Sequence, residues 1–341
     1  MTVEKIIGKP ADMFTVKKKL VENFVAESRM QQRKRQNQAK LADVTNTECP
    51  ICGSRRVSSS LCSVSGIVYL ECEHCCHMFT QKKLSKKNLE RLYAETAFNQ
   101  AEYLDGDAAV ARLEEIYLPK AEFVINHFNR IKKRNPLTLL DIGSGTGGFV
   151  AACRLNGISA DGIEPDVNLR QAARNHYGVE LKKTCVDDMV ADAGNLYDIV
   201  SLWGVLEHVD DPVSFLEKSS KLMHPHGWIV FEVPRGRCIS SLIQSCFPER
   251  IVRHLDPVSH IHLFSEQSIG VMLEKNVLKH EVEWVFGMDA YELVLQLCTH
   301  FHVPIDTLDH KELSWFIDTF QQVVDHNSLS DAIVCCASRF E

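Results

Sequence analysis

Residues 139–150 of this 341-residue chain read Leu-Leu-Asp-Ile-Gly-Ser-Gly-Thr-Gly-Gly-Phe-Val. An apolar run suited to a buried strand passes directly into Gly143, Gly145, Gly147 and Gly148. A helical stretch, 149–155, follows, which Gly157 can cap. Few folds accept that order. Glycines between a parallel strand and the next helix let backbone approach a ligand where a side chain would block it. A second apolar run, 159–163, ends in Glu164, roughly 20 residues past the loop, where a carboxylate can accept hydrogen bonds from both ribose hydroxyls.

From Pro136 onward, short apolar runs at 137–140, 158–163, 199–203 and 228–233 alternate with helix-like segments. Such βα units predict an α/β fold with a doubly wound, Rossmann-like parallel sheet covered on both faces. Gly143, Gly145 and Gly148 also satisfy G-x-G-x-x-G, so a nicotinamide dinucleotide stays open as ligand on spacing alone. Asp141 opposes it. A carboxylate just before the loop would face a pyrophosphate, whereas a cationic donor bearing an α-amino group suits it. The fourth strand runs into Glu207, His208, Asp210, Asp211 and Pro212 at the carboxyl edge, where open α/β sheets bind ligands. Helix capping explains at least one of the two aspartates, with Pro212 at the first helical position, but not Glu207 and His208.

Asp141-Ile-Gly-Ser-Gly-Thr-Gly147, Gly162-Ile-Glu-Pro165 and Val205-Leu-Glu-His208 together resemble, in order and spacing, the motifs of class I S-adenosylmethionine (SAM)-dependent methyltransferases, nearest the small-molecule, ubiquinone-biosynthesis-like group. The resemblance covers residues 136–341. It implies the seven-stranded fold of that class, with a sixth strand at 280–286 and an antiparallel seventh at 332–337. It also implies that Asp141, Gly143, Ser144, Gly145 and Gly147 line the donor and that Glu164 holds its ribose. By the same resemblance, the 185–189 stretch approaches adenine, with Asp187 or Asp188 in the acidic role or Cys185 in its place. Trp203 lies near the methionine end or is ordinary core.

Methyl transfer from a sulfonium needs positioning and, for a hydroxyl acceptor, removal of a proton. Histidine suits that task near neutral pH. His260 is the leading candidate base, with His208 and His262 behind it and Glu207 orienting the loop or touching a substrate; loop packing is the plainer role for each. The fourth strand carries Trp203-Gly-Val rather than the Asn/Asp-Pro-Pro-aromatic arrangement of amino-methyltransferases. An oxygen or carbon acceptor is therefore expected, on a small molecule or a glycan-type precursor such as a nucleotide sugar. Residues 288–326 read as a helical insertion serving as lid, homo-oligomer contact or plain core.

Cys49-Pro-Ile-Cys52 and Cys72-Glu-His-Cys75 are two C-x2-C knuckles separated by residues 53–71. Four thiolates at this spacing build the closed tetrahedral cage that structural zinc prefers. A ribbon of this kind resembles rubredoxin-like modules found ahead of some sugar and some RNA methyltransferases. The expected organisation is a helical extension over 1–45, a zinc ribbon over 46–82, a helical connector over 83–134 and a methyltransferase domain over 135–341.

An RNA methyltransferase would use the ribbon with Lys17–Lys19 or Arg33–Arg35 along phosphates. The formal charge of −7 opposes it. A non-catalytic domain or an NAD-binding protein would keep the Rossmann-like fold without methyl transfer; the intact glycines with Glu164 oppose the first and Asp141 the second. Thirteen cysteines without an export signal point to reduced thiols or metal in a reducing cytoplasm, and no apolar stretch approaches the roughly 20 residues of a membrane span.

Overall fold

The computed structural model describes residues 3–8, 37–64, 66–85, 87–88, 106–191, 196–247 and 255–340. Among the described residues, six short strands come first: β1 (Glu4–Ile7), β2 (Val44–Thr45), β3 (Val57–Val64), β4 (Ile67–Cys72), β5 (Met78–Thr80) and β6 (Lys82–Lys83). Helix α1 (Gly106–Arg112) continues through a π turn, Leu113–Tyr117, into α2 (Leu118–Lys132). Alternation then sets in with β7 (Thr138–Ile142), α3 (Gly148–Leu155), β8 (Ser159–Ile163), α4 (Val167–Tyr177), α5 (Val186–Ala191) and β9 (Tyr197–Trp203). It goes on through α6 (Pro212–Lys221), β10 (Met223–Pro234), α7 (Ile239–Cys246), β11 (His262–Leu263) and α8 (Glu266–Lys275). The chain closes with β12 (Leu278–Val285), α9 (Asp289–Phe301), α10 (His310–His326) and β13 (Ala332–Arg339).

The central sheet has seven strands in the order β1-β12-β13-β10-β9-β7-β8. All neighbours are parallel except around β13, which runs antiparallel to both β10 and β12. The doubly wound expectation holds, with two differences in membership. The extreme N-terminus supplies an edge strand, so the expected helical extension over 1–45 is corrected at Glu4–Ile7, which pairs with Val282–Val285. Its physical reason is an open edge on β12 that accepts four extended residues. The place of a third parallel strand beside β8 is taken by a single bridge, Ile163 to Lys182. Residues 9–36 of the expected helical extension, with the basic runs Lys17–Lys19 and Arg33–Arg35, lie outside the described residues.

Caps fix the helices that frame the sheet's carboxyl edge. Asp166 accepts the amides of Asn168 and Leu169 at the start of α4, and Asp211 accepts that of Ser214 ahead of Pro212 at the start of α6. Asp210 instead receives Lys83 Nζ at 2.8 Å.

Side chains alternate between two cores. On one face Leu139, Ile199, Trp228 and Val334 pack against Phe128 and Phe149. On the other, Leu140, Val200, Leu202, Ile229 and Phe231 share one cluster with Cys49, Ile51, Cys72 and Phe79 of the cysteine module. Each fully buried side chain of this size contributes roughly 1.5–3 kcal/mol. The module is therefore seated on the sheet. Its own four-stranded sheet, in the order β11-β5-β4-β3, takes its edge strand from residues 262–263 of the larger unit. The insertion after β12 forms the helix pair α9 and α10, with its own small core around Tyr291, Leu295 and Ile317. Among the described residues no helix is long and apolar enough to cross a membrane.

Candidate active site

The glycine loop takes the left-handed backbone that its residues allow: φ is 71° at Gly143, 54° at Gly145 and 73° at Gly147. The four glycines answer different constraints. A Cβ on Gly143 would meet Val205 at 2.9 Å, and one on Gly148 would meet the Tyr117 ring at 2.2 Å. At Gly145 nothing lies within 4 Å of that position. Gly145 thus faces open space that a ligand can enter, while Gly148 is glycine because the α1–α2 junction packs on it.

Glu164 is built into this loop. Its Oε2 accepts the Gly145 amide at 2.9 Å and its Oε1 the Asp166 amide at 2.9 Å, which aims the carboxylate across the turn. Burial raises its pKa, and the two amides oppose that shift. Gly143 and Ser144 donate their amides to Ile163, and Ser144 Oγ donates to the Asp141 carbonyl, so the loop is held from both sides. Asp141 is buried and accepts Ser201 Oγ at 2.7 Å. Desolvation pushes its carboxyl up to about 7, with Ser201, Ser144 and the charge of Lys120 pulling down.

A second group gathers past β9. One ligand-type atom each from Glu207, His208 and His260 lies within 4.8 Å of the other two. The rings of His208 and His260 meet edge to face at 4.8 Å, and His208 Nε2 lies 3.9 Å from Glu207 Oε1. His208 Nδ1 is 2.7 Å from the Ser259 carbonyl. In the neutral ring Nδ1 then carries the proton and Nε2 a lone pair. Glu207 is buried and its pKa rises to about 8, chiefly through desolvation, with Glu232 adding and Lys120 opposing. Its Oε2 has no hydrogen-bond partner among the described residues.

The other expected positions each pack against a neighbour. His262 is 2 % exposed, with Nδ1 3.2 Å from His77 Nε2 and Nε2 2.9 Å from the Val209 carbonyl. It sits at the junction with the cysteine module, where pairing of β11 with β5 turns it inward. Asp187 sits on the exposed first turn of α5, 2.6 Å from Lys218, and Asp188 accepts Cys185 Sγ at 3.1 Å. Trp203 packs edge to face on Phe149 at 4.9 Å, and its buried Nε1 has no hydrogen-bond partner among the described residues.

One participant belongs to no sequence motif. Lys120, on α2, is buried, 2.6 Å from Glu232 and 4.4 Å from the centre of the Trp203 ring. The sequence does carry a signal for it: position 120 falls inside the apolar stripe formed by residues 113, 116, 117, 121, 124, 125 and 128.

The sequence profile of a methyltransferase domain matches residues 117–279, from the tyrosine packed on Gly148 past the whole carboxyl edge. Residues 117–279 thus match a methyltransferase domain. Among curated proteins it is similar to the ubiquinone biosynthesis O-methyltransferase of Chromobacterium violaceum, 27 % identical over 161 residues, covering 46 % of this chain and 68 % of that one. The enzyme of the same description from Nitrosomonas europaea is 27 % identical over 128 residues, 36 % of this chain and 54 % of that one. The chain thus spans between about half and two-thirds of the length of these two relatives. Among solved structures, the plantazolicin methyltransferase BpumL in complex with SAH is 14 % identical with a TM-score of 0.43, covering 75 % of this chain and 99 % of that one. In the matched domain the glycine loop, with the open face of Gly145 and with Asp141 and Glu164 beside it, forms a cradle.

The four cysteines of the knuckles also converge. Cys49 Sγ is 3.6 Å from Cys75 Sγ, Cys52 Sγ is 3.5 Å from Cys72 Sγ, and all four sulfurs lie within 4.8 Å of one another. A tetrahedron with metal–sulfur bonds of about 2.3 Å has edges of about 3.8 Å, close to the Cys49–Cys75 and Cys52–Cys72 spacings, so the set suits zinc. The Cys75 thiol favours the thiolate of Cys49 and is itself held protonated by that contact. A divalent cation relieves that competition.

Proposed function

We propose that this chain transfers a methyl group from SAM to an oxygen or carbon of a small-molecule or glycan-type acceptor. The observation that carries the reading is the placing of Glu207, His208 and His260 together at the carboxyl edge of the sheet that also bears the glycine cradle. When bound, SAM supplies a methyl group already activated on sulfur. Asp141 faces the cationic end, Glu164 receives ribose hydroxyls, and Gly145 leaves room for the backbone to approach. His260, with the His208 ring against it, takes a proton from an acceptor hydroxyl, and the buried Glu207, largely protonated at neutral pH, orients that pair. Both curated relatives are O-methyltransferases, which favours oxygen over carbon. The cysteine set holds a structural zinc, with no position left open for chemistry.

Calorimetry of the metal-replete protein with SAM, SAH and NAD tests the cofactor. Micromolar binding of the first two with none of NAD is expected; NAD alone would overturn the reading. A panel of phenolic, quinol and nucleotide-sugar acceptors then tests the acceptor class. His260→Gln is expected to lower turnover on a hydroxyl acceptor roughly 100-fold while leaving SAM affinity intact.

A further inference from the structure

The segment 256–263, which carries His260, is held from two sides. From the methyltransferase side, Glu207 O accepts the Ile261 amide at 2.9 Å, the Ser259 carbonyl accepts from His208 and the Val209 carbonyl lies against His262. Within the segment, Asp256 folds the turn, its carbonyl accepting the His260 amide at 2.7 Å and its Oδ2 the Ser259 hydroxyl at 2.7 Å. The other side is the cysteine module. The Thr80 amide donates to the Ile261 carbonyl at 3.1 Å, β11 pairs with β5, and Tyr69 Oη donates to the His260 carbonyl at 2.9 Å. Tyr69 is fully buried on β4, three residues before the ligand-type Cys72. The Ser265 hydroxyl, just past the segment, reaches the carbonyl of Cys75 itself at 2.7 Å.

We infer that the cysteine ribbon is the second wall of the active site, and that Tyr69 is a positioning residue that sets the place of His260 through its main-chain carbonyl. A detached staple would need only its own four thiols. Here the ribbon's sheet is completed by the catalytic segment, and a ribbon side chain bonds directly to the backbone of His260. The inference rests on the reading of His260 as the base, and its test separates the two.

The test compares holoprotein, saturated with SAM, as wild type, Tyr69→Phe and Tyr177→Phe. The last removes a comparable phenol-to-carbonyl bond, Tyr177 to Ala109 at 2.8 Å. Readouts are amide hydrogen exchange and the His260 imidazole NMR resonance, assigned by its loss in His260→Gln. Tyr69→Phe is expected to speed exchange across 256–263 about tenfold and to move the His260 resonance. SAM affinity stays within twofold and metal content is unchanged, and Tyr177→Phe leaves that segment alone. An unchanged resonance and unchanged exchange in Tyr69→Phe would overturn the inference. If that variant does not fold, wild-type exchange decides. Protection of 259–263 matching that of strand 78–80 supports it, and opening of 259–263 more than tenfold faster than 78–80 overturns it. Unaltered turnover of His260→Gln, by contrast, would remove the base reading and leave the positioning result standing.

Discussion

The Lys120 ammonium lies 2.6 Å from a Glu232 oxygen and stands 4.4 Å over the ring of Trp203, with all three groups largely shielded from water. A cation in that position also faces Asp141 and Glu207, on which its charge acts. It compensates several buried carboxyls at once. Removing one member of a buried pair leaves the other charge uncompensated, at roughly 3–5 kcal/mol. Lys120→Met should therefore lower stability by about that amount in denaturant unfolding. Adding Glu232→Gln should recover most of the loss. A double variant no better than the single one would show that Lys120 acts by packing alone.

Asp141 gives the donor site a pH dependence whose sign is fixed. Its pKa in the folded protein is about 7, raised by burial. A group raised in this way contributes stability that is complete below its unfolded pKa and lost as pH rises through about 7. A cationic donor reverses the preference by favouring the carboxylate, so binding releases a proton wherever Asp141 begins protonated. SAM affinity should rise about tenfold from pH 6 to a plateau near pH 8. Calorimetry in buffers of different ionisation enthalpy should show the released proton at pH 6. Asp141→Asn should flatten the profile, and a wild-type affinity independent of pH would refute the assignment.

Much of this architecture is legible in the sequence because its signals are local. The glycine loop, Glu164 and the two knuckles each declare themselves within a few residues, through a backbone conformation or a ligand spacing. What escapes such a reading is carried by long-range pairing. Strand β1 is four residues long, and its partner, Leu278–Val285, is more than 270 positions away. The two residues of β11 become a strand only because Met78 and Phe79 offer an edge. That same pairing buries His262 and leaves His260 beside His208.

The two neighbouring glycines Gly145 and Gly148 should respond in opposite ways. Gly148→Ala forces a methyl into the Tyr117 ring, and overpacking of this kind costs roughly 1–3 kcal/mol. It should lower the unfolding midpoint and spare the binding chemistry at the cradle. In Gly145→Val the Cβ meets no protein atom within 4 Å, and the left-handed backbone costs about 1–2 kcal/mol. Its larger effect falls on the donor, whose approach the side chain blocks, so SAM affinity should fall roughly 100-fold or more. Equal affinity in Gly145→Val and wild type would remove this loop from the donor site.

Metal removal provides the last contrast. Cys49, Ile51, Cys72 and Phe79 belong to the same core cluster as Leu140, Val200 and Phe231, so loosening the knuckles loosens one face of the sheet. Purified protein should contain about one zinc per chain by atomic emission, and Cys72→Ser should abolish it. A detached staple would lose only its own fold on chelation. A ribbon whose fourth strand is residues 262–263 should instead give a single cooperative transition, lowered in midpoint, in which ribbon and methyltransferase domain unfold together. Two separate transitions in the chelated protein would mean that the shared sheet does not couple them. A full complement of zinc in Cys72→Ser would move the metal away from the knuckles.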